Sequence, residues 1–410
     1  MQTKRNNDKD DLNKRAYNAG AFVIAEYGLS QFLRIAGNLV LTRLLFPELF
    51  GLMSLAGVFI NGLRLFSDIG LAPGVIRSSR ANDAAFLNTA WTLQVIRGLI
   101  LCLLAAAIAL PIAKIYEEPR MLYLVPIIGL NSLFLGFQST YLITLKKNLK
   151  RGKLLYIEVG TKCVSLACMI VLAYVYKNIW SLVIGGLVAS LLRTGWSHLL
   201  RPDIRNLFKY DKLAVKELLT FGKWIFAATA MMFLSTQIDK LLLGKLFPLA
   251  FLGIYNIAAV IAELPKMIIG RISHNVIYPL LAKYSHLPRH ELRRKIAQKR
   301  KLLLYLLLLV VVGLIGFGDK VIQLLYDQRY EQAAWILPLL ACGIWPRVLV
   351  ATNSSGLLVI GKSQYGAIAN FSKLIFMVVC VPLFYKLGGT FGAILAIVLN
   401  DIPAYIVGTY

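Results

Sequence analysis

The chain has 410 residues, a formal net charge of +25 and a 58% share of hydrophobic residues, with a mean hydropathy of +0.66. Apolar runs of about 18 residues or more recur from end to end, which excludes an ordinary soluble protein; short alternating segments of barrel type are absent. Most Lys and Arg fall in short loops between the apolar runs, so the charge reads as membrane topology and not as a nucleic-acid surface.

In chain order, residues 1–18 are a polar, mixed-charge segment without the pattern of a cleavable signal. Helical spans are then expected over 19–45, 49–71, 86–115, 121–145, 154–176 and 179–200, which form an N-lobe, 19–200. A linker at 201–217 leads to a C-lobe, 218–410, with spans over 218–246, 250–281, 302–317, 333–360, 365–385 and 389–410. The expected fold is thus an all-α polytopic membrane protein of about twelve helices. Basic loops precede the first span and follow the second, fourth, sixth and eighth, as in Lys146, Lys147, Lys150, Arg151 and Lys153. The intervening loops carry Glu48, Glu117, Glu118, Asp319, Asp327 and Glu331. This alternation places both termini in the cytoplasm and gives two parallel six-helix repeats. The longest outer loop, 318–332, is short.

The two halves echo each other. Leu45-Phe46-Pro47 matches Leu246-Phe247-Pro248, Phe50 matches Phe251, and after one inserted residue Gly51 matches Gly253 and Ala56 matches Ala258. Asn38 falls opposite Asp239, and Arg64 opposite Lys266. Pro126, Pro265, Pro346 and Pro382 lie inside expected helices, where each frees a carbonyl and marks a weak point. The five cysteines, Cys102, Cys163, Cys168, Cys342 and Cys380, all lie in apolar segments without disulfide or metal spacing and are read as packing residues.

Ionised side chains at mid-bilayer cost roughly 2.5 kcal/mol or more, so they need a partner or a polar cavity. Arg64 and Asp68, Glu158 and Lys162, and Glu263 and Lys266 share helix faces, so each pair can neutralise itself within its own helix, as a structural bridge or as part of a functional site. Arg34, Arg97, Arg271, Arg347 and Lys373 have no such partner, and the remaining intramembrane acids are Glu26, Asp239 and Asp401. Cations outnumber acids, which implies an internal cavity of surplus positive charge suited to an anionic solute. Arginine's fork fits phosphate in particular. The candidate cavity cations are Arg34, Arg64, Arg97, Lys266, Arg271, Arg347 and Lys373; Glu26, Asp239 and Asp401 are candidate coupling or counter-ion carboxylates. Arg43, Lys245 and Arg193 lie near span ends and are read as reaching for the interface.

Gln237-Ile238-Asp239-Lys240, Leu243-Gly244 and Leu252-Gly253-Ile254-Tyr255-Asn256-Ile257-Ala258, with the first-half run Phe50-Gly51-Leu52-Met53-Ser54-Leu55-Ala56 and Ser67-Asp68-Ile69-Gly70-Leu71, carry a family likeness. The chain resembles the polysaccharide transporter family, the Wzx-type flippases and exporters of lipid-linked oligosaccharide. The likeness is nearest to the branch of colanic acid and teichuronic acid exporters, within the multidrug/oligosaccharidyl-lipid/polysaccharide exporter superfamily. The resemblance implies a V-shaped two-lobe transporter that moves an undecaprenyl-diphosphate-linked sugar unit across the cytoplasmic membrane by ion-coupled alternating access. It implies lipid-linked anionic oligosaccharide and membrane lipid as partners, with the polymerase and export machinery of the same pathway as further candidates. From the residues themselves no cofactor, metal or nucleic acid is expected. The chain departs from many members in ending at Tyr410, where they carry two more helices or a tail.

Two other functional classes make different demands. A cation-coupled multidrug extruder of the same superfamily would want an acidic cavity. A membrane polymerase or ligase would want a large outer loop bearing catalytic residues. No Gly-rich nucleotide loop is present, and the chain is expected not to be an enzyme.

Overall fold

The computed structural model describes residues 22, 25–67, 70–80, 83–148, 151–200, 206–272, 289–350 and 364–409, and among them there is no strand. In chain order the helices are α1 (25–44), α2 (Pro47–Phe66), α3 (Leu71–Arg77), α4 (Ala84–Tyr116), α5 (Met121–Gly136), α6 (Tyr141–Lys147), α7 (Arg151–Tyr176) and α8 (Trp180–Leu199). Then follow α9 (Lys212–Leu246), α10 (Leu249–Ile272), α11 (Arg289–Leu325), α12 (Ala333–Cys342), α13 (344–350), α14 (Gln364–Leu399) and α15 (Asp401–Thr409). Among the described residues eight helices are long and apolar enough to cross a membrane, or nine if α5 and α6 form one broken span. The sequence leads to a larger number for identifiable reasons. Polar and charged residues interrupt α1, the side chains of 219–230 in α9 lie outside the described residues, and the stretch 368–407 counts as one span. Its backbone nevertheless leaves the helix at Gly388 (φ −137°) and Gly389 (φ 58°), the second a left-handed angle that glycine adopts without strain.

The chain divides into two compact units, 1–45 with 59–229 and 46–58 with 230–410. The expected linker therefore falls, where described, inside the first unit.

In the first unit, the expected single helix over 121–145 is bent by 65° between α5 and α6. The bend lies at 137–140 and not at Pro126. Breaking a helix inside a membrane bares carbonyls, and each needs a donor. Gln94 Nε2 reaches Leu135 O, Gly136 O and Gln138 O at 3.1, 3.0 and 3.0 Å. Thr194 Oγ1 donates to Phe134 O at 2.8 Å, and Trp91 Nε1 to Phe137 O at 3.3 Å, with His198 Nε2 2.8 Å from the same oxygen.

Residues 206–211 form a strap along the first turns of α4. Leu207 N donates to Asn88 Oδ1 at 3.2 Å, Lys209 N to Thr92 Oγ1 at 3.1 Å and Asp211 N to Thr89 Oγ1 at 3.1 Å. Asn206 Nδ2 donates to Thr140 Oγ1 at 2.9 Å. Asp211 then caps α9 through Leu213 N at 2.9 Å and takes an ion pair from Arg80 at 2.7 Å; Arg80 also holds Asp83 at 2.8 Å. Beneath the strap, Leu71, Val75, Phe86, Ile143, Ala214 and Leu218 form a buried apolar cluster. Hydrogen bonds from Arg80 hold the Asp83 and Asp211 carboxyls below their ordinary range, with backbone donors adding to the effect. A carboxylate whose folded pKa is depressed contributes stability that is present above its unfolded pKa of about 4 and is lost as pH falls through the folded value. Amide protection of residues 207–211, relative to intrinsic exchange at each pH, should accordingly fall on acidification below pH ~4 while protection in mid-α4 is kept. Equal protection across that range would contradict the ion-pair account.

In the second unit, the start of α2 packs on the start of α10. A Cβ on Gly51 would lie 1.8 Å from Leu249 O, and one on Gly253 would lie 2.0 Å from Pro47 O. The two sequence-matched glycines thus let two backbones touch. α11 is longer than the expected 302–317: the basic run from Arg289 continues the helix, because Lys, Arg, Glu and Gln are good helix formers.

Candidate functional site

A cavity of about 170 Å³ lies within the second unit. α9 contributes Ser235, Thr236, Gln237, Asp239 and Lys240 to its wall. α10 contributes Asn256, Ala259, Val260, Glu263 and Lys266, whose spacing is one helical face. Arg347 of α13, Lys373 and Met377 of α14, and Asn400 complete it.

Two of these wall cations belong to a buried ion triad, completed by Asp401 behind the wall. Asp401 accepts from Arg347 Nε through Oδ2 at 2.8 Å and from Lys373 Nζ through Oδ1 at 3.1 Å. The three side chains are 8–11% exposed. The sequence explains their placement. α14 stops at Leu399, and Pro403 in the first turn of α15 needs no helical donor there. Asp401 thereby lies at a helix start, where the backbone dipole favours a carboxylate. Near the same break, Arg347 Nη2 lies 3.4 Å from Ile397 O. Glu263 Oε1 lies 3.8 Å from Arg347 Nη1. Outside the lining, the fully buried Tyr255 donates its hydroxyl to the wall residue Asp239 at Oδ2, 2.5 Å away. Asp239 Oδ1 and Asn400 Oδ1 are buried without a hydrogen-bond partner among the described residues.

Of the expected site residues, the structure brings together Lys266, Arg347, Lys373, Asp239 and Asp401. Arg34, Arg64, Arg97 and Glu26 belong to the first unit. Arg34 and Arg64 are exposed and Glu26 is half-buried. Arg97 donates to Arg64 O at 2.6 Å and Ser67 Oγ at 3.0 Å, which caps the C-terminal end of α2. Two self-pairing expectations are corrected. Glu158 pairs with Arg193 of α8 at 2.6 Å, while Lys162 donates to Ser30. Glu263 turns to Arg347 and not to Lys266. Sharing a helix face sets which groups are neighbours on that helix, and packing against a second helix offers a better-placed partner. The side chains of Arg271 and Asp68 lie outside the described residues. Tyr255 and Asn400 carry site roles that the charge survey did not select; Tyr255 stood only within the family signature.

The cavity wall holds four cations, Lys240, Lys266, Arg347 and Lys373, against Asp239 and Glu263, with Asp401 behind. That balance attracts an anion. Its volume is below the roughly 300–1,000 Å³ of whole small-molecule sites, so it fits an anionic head group and not an oligosaccharide. Among the described residues, no group of three or more His, Cys, Asp or Glu side chains is placed to hold a metal.

The teichuronic acid biosynthesis protein TuaB of Bacillus subtilis is 25% identical over 299 residues, which are 72% of this chain and 61% of that protein. The lipopolysaccharide biosynthesis protein WzxC of Escherichia coli is 23% identical over 384 residues, 90% of this chain and 75% of that one. The chain thus spans about three-fifths to three-quarters of the length of these relatives. Among solved structures, the lipid II flippase MurJ in an inward closed conformation superposes with a TM-score of 0.72 at 17% identity, covering 94% of this chain and 86% of that one. An inward-facing multidrug resistance transporter of the MATE family, of the MOP superfamily, also gives 0.72, at 16% identity and 92% of each chain. These two share the fold, an all-α multi-pass membrane architecture. The family model described as polysaccharide biosynthesis protein matches residues 40–335, and with that match, the duplicated helical hairpin and the membrane fold together, the chain belongs to this polysaccharide biosynthesis protein family.

Proposed function

We propose that this protein is a flippase that carries an undecaprenyl-diphosphate-linked, anionic oligosaccharide across the cytoplasmic membrane by alternating access, for polysaccharide biosynthesis. The observation that carries the reading is the cavity of Lys266, Arg347 and Lys373. Two of its cations, Arg347 and Lys373, are held in place by the buried carboxylate of Asp401. Such a site receives a diphosphate or an acidic sugar, because an incoming anion adds to a positive surplus that the fold has already assembled. The family match and the polysaccharide biosynthesis relatives support the cargo class. In this reading Arg34, Arg64 and Arg271 add to the cationic path, Arg97 holds the end of α2, and Asp239 with Tyr255 is the coupling pair. Both termini lie in the cytoplasm, and the pathway's polymerase or export machinery is the downstream partner. The multidrug alternative draws on the MATE fold and on Asp239 and Glu263, but the cations of the same cavity oppose a cationic drug.

In a host lacking the gene, lipid-linked oligosaccharide should accumulate on the cytoplasmic leaflet and surface polymer should disappear. Complementation with the Lys266→Ala, Arg347→Ala double variant should restore less than about a tenth of export, since two charge-assisted contacts are worth roughly 1.5–3 kcal/mol each. Normal surface polysaccharide combined with new drug sensitivity would assign the protein to drug extrusion instead.

A further inference from the structure

The strap at 206–211 has a purpose that linking two halves does not require. Its inward side is fully engaged: the backbone donors of Leu207, Lys209 and Asp211 all go to side chains of α4. Its outward side is apolar and basic. Leu207, Phe208, Tyr210 and Leu213 are 54%, 65%, 74% and 70% exposed, and Lys209, Lys212 and Lys216 are exposed among them. Phe208 lies 4.8 Å from Trp91, ring centre to ring centre. The acid in the strap, Asp211, is neutralised by Arg80, which leaves Glu217 as the exposed acid beside three lysines.

The depth of this surface follows from α4. Its 33 residues rise about 50 Å, against a hydrocarbon core of about 30 Å. The stretch after Thr92 supplies about 36 Å, enough to cross the core. Asn88, Thr89 and Thr92, the residues that grip the strap, therefore lie at headgroup level. Aromatic rings with lysines at that level match the membrane interface. We propose that the strap is a binding surface for anionic phospholipid headgroups: the three lysines meet the phosphates, and Leu207, Phe208, Tyr210 and Leu213 enter the boundary between headgroups and acyl chains. Charge complementarity selects anionic over zwitterionic lipid, and the hydrogen bonds to α4 keep the surface formed before any lipid arrives.

The test uses the full chain in nanodiscs of phosphatidylcholine containing a minor fraction of phosphatidylglycerol, followed by mild detergent extraction and mass spectrometry of the retained lipid. Phosphatidylglycerol should be enriched on the wild-type protein. The Lys209→Gln, Lys212→Gln, Lys216→Gln variant should lose that enrichment by roughly tenfold or more, because each lysine at a membrane surface contributes about a fivefold preference. The matching Lys→Arg triple should keep it, and Phe208→Ser should weaken retention of both lipids. The lysine variants should melt with the wild type, since those side chains are exposed. Equal retention of the two phospholipids by the wild type, or unchanged enrichment in the Lys→Gln triple, would overturn the proposal.

Discussion

Replacing Asp401 with alanine is expected to destabilise the protein by about 3–5 kcal/mol, because it strips Lys373 of its carboxylate and leaves Arg347 only the longer contact to Glu263 in a buried site. Asp401→Asn should cost less, since the amide oxygen still accepts one of the two hydrogen bonds. The informative variant removes all three charges: Arg347→Met, Lys373→Met and Asp401→Leu together. A buried ion cluster replaced by apolar side chains of similar volume is often as stable as the original. The triple variant should therefore melt near the wild type while failing to export polysaccharide. Melting of purified single and triple variants, with surface polymer measured in parallel, separates the two roles. Should the triple variant export normally, the triad would be a device of folding alone.

The second large effect is expected at Gly51 and Gly253. Side chains placed there collide with the carbonyls of Leu249 and Pro47, and a carbonyl in a helix start cannot swing aside as a side chain does. Gly51→Val or Gly253→Val should therefore cost at least about 3 kcal/mol, the upper end of ordinary overpacking. Gly57, on the same helix as Gly51, has open space where its Cβ would lie. Gly57→Ala should be neutral or stabilising by up to about 1 kcal/mol, the helix-propensity difference. A melting series of the three variants decides the matter; comparable losses at Gly51 and Gly57 would mean that the close approach is unimportant.

Much of this architecture is written locally. The doubled Leu-Phe-Pro marks the starts of α2 and α10 because proline suits a helix start, and the residues that follow it match in the two halves. The excess of intramembrane cations pointed to Arg347, Lys373 and Lys266, which do share one cavity. What the sequence does not carry is the partner of each charge. Asp401 joins residues 54 and 28 positions away, and no spacing rule along a helix reports on neighbours brought in by packing. The same gap explains why Glu158 and Glu263 chose arginines of other helices. Tyr255 was visible only as an aromatic residue in a family signature, since nothing in a sequence says where a hydroxyl points. The bend between α5 and α6 was hidden for a related reason: Pro126 is the local breaker, yet the break forms where Gln94, Thr194, Trp91 and His198 supply donors from α4 and α8.

That bend also bears on bilayer thickness. With 16 residues, α5 rises about 24 Å, short of the hydrocarbon core by some 6 Å. A short span ordinarily forces the lipid around it to thin, at a cost of fractions of a kcal/mol per ångström of mismatch. Here the bared carbonyls are covered by protein donors and need no water. Trp91 and Gln94 reach this break from the turns of α4 that also hold the strap, so the end of α5 lies level with the strap and not deep among the acyl chains.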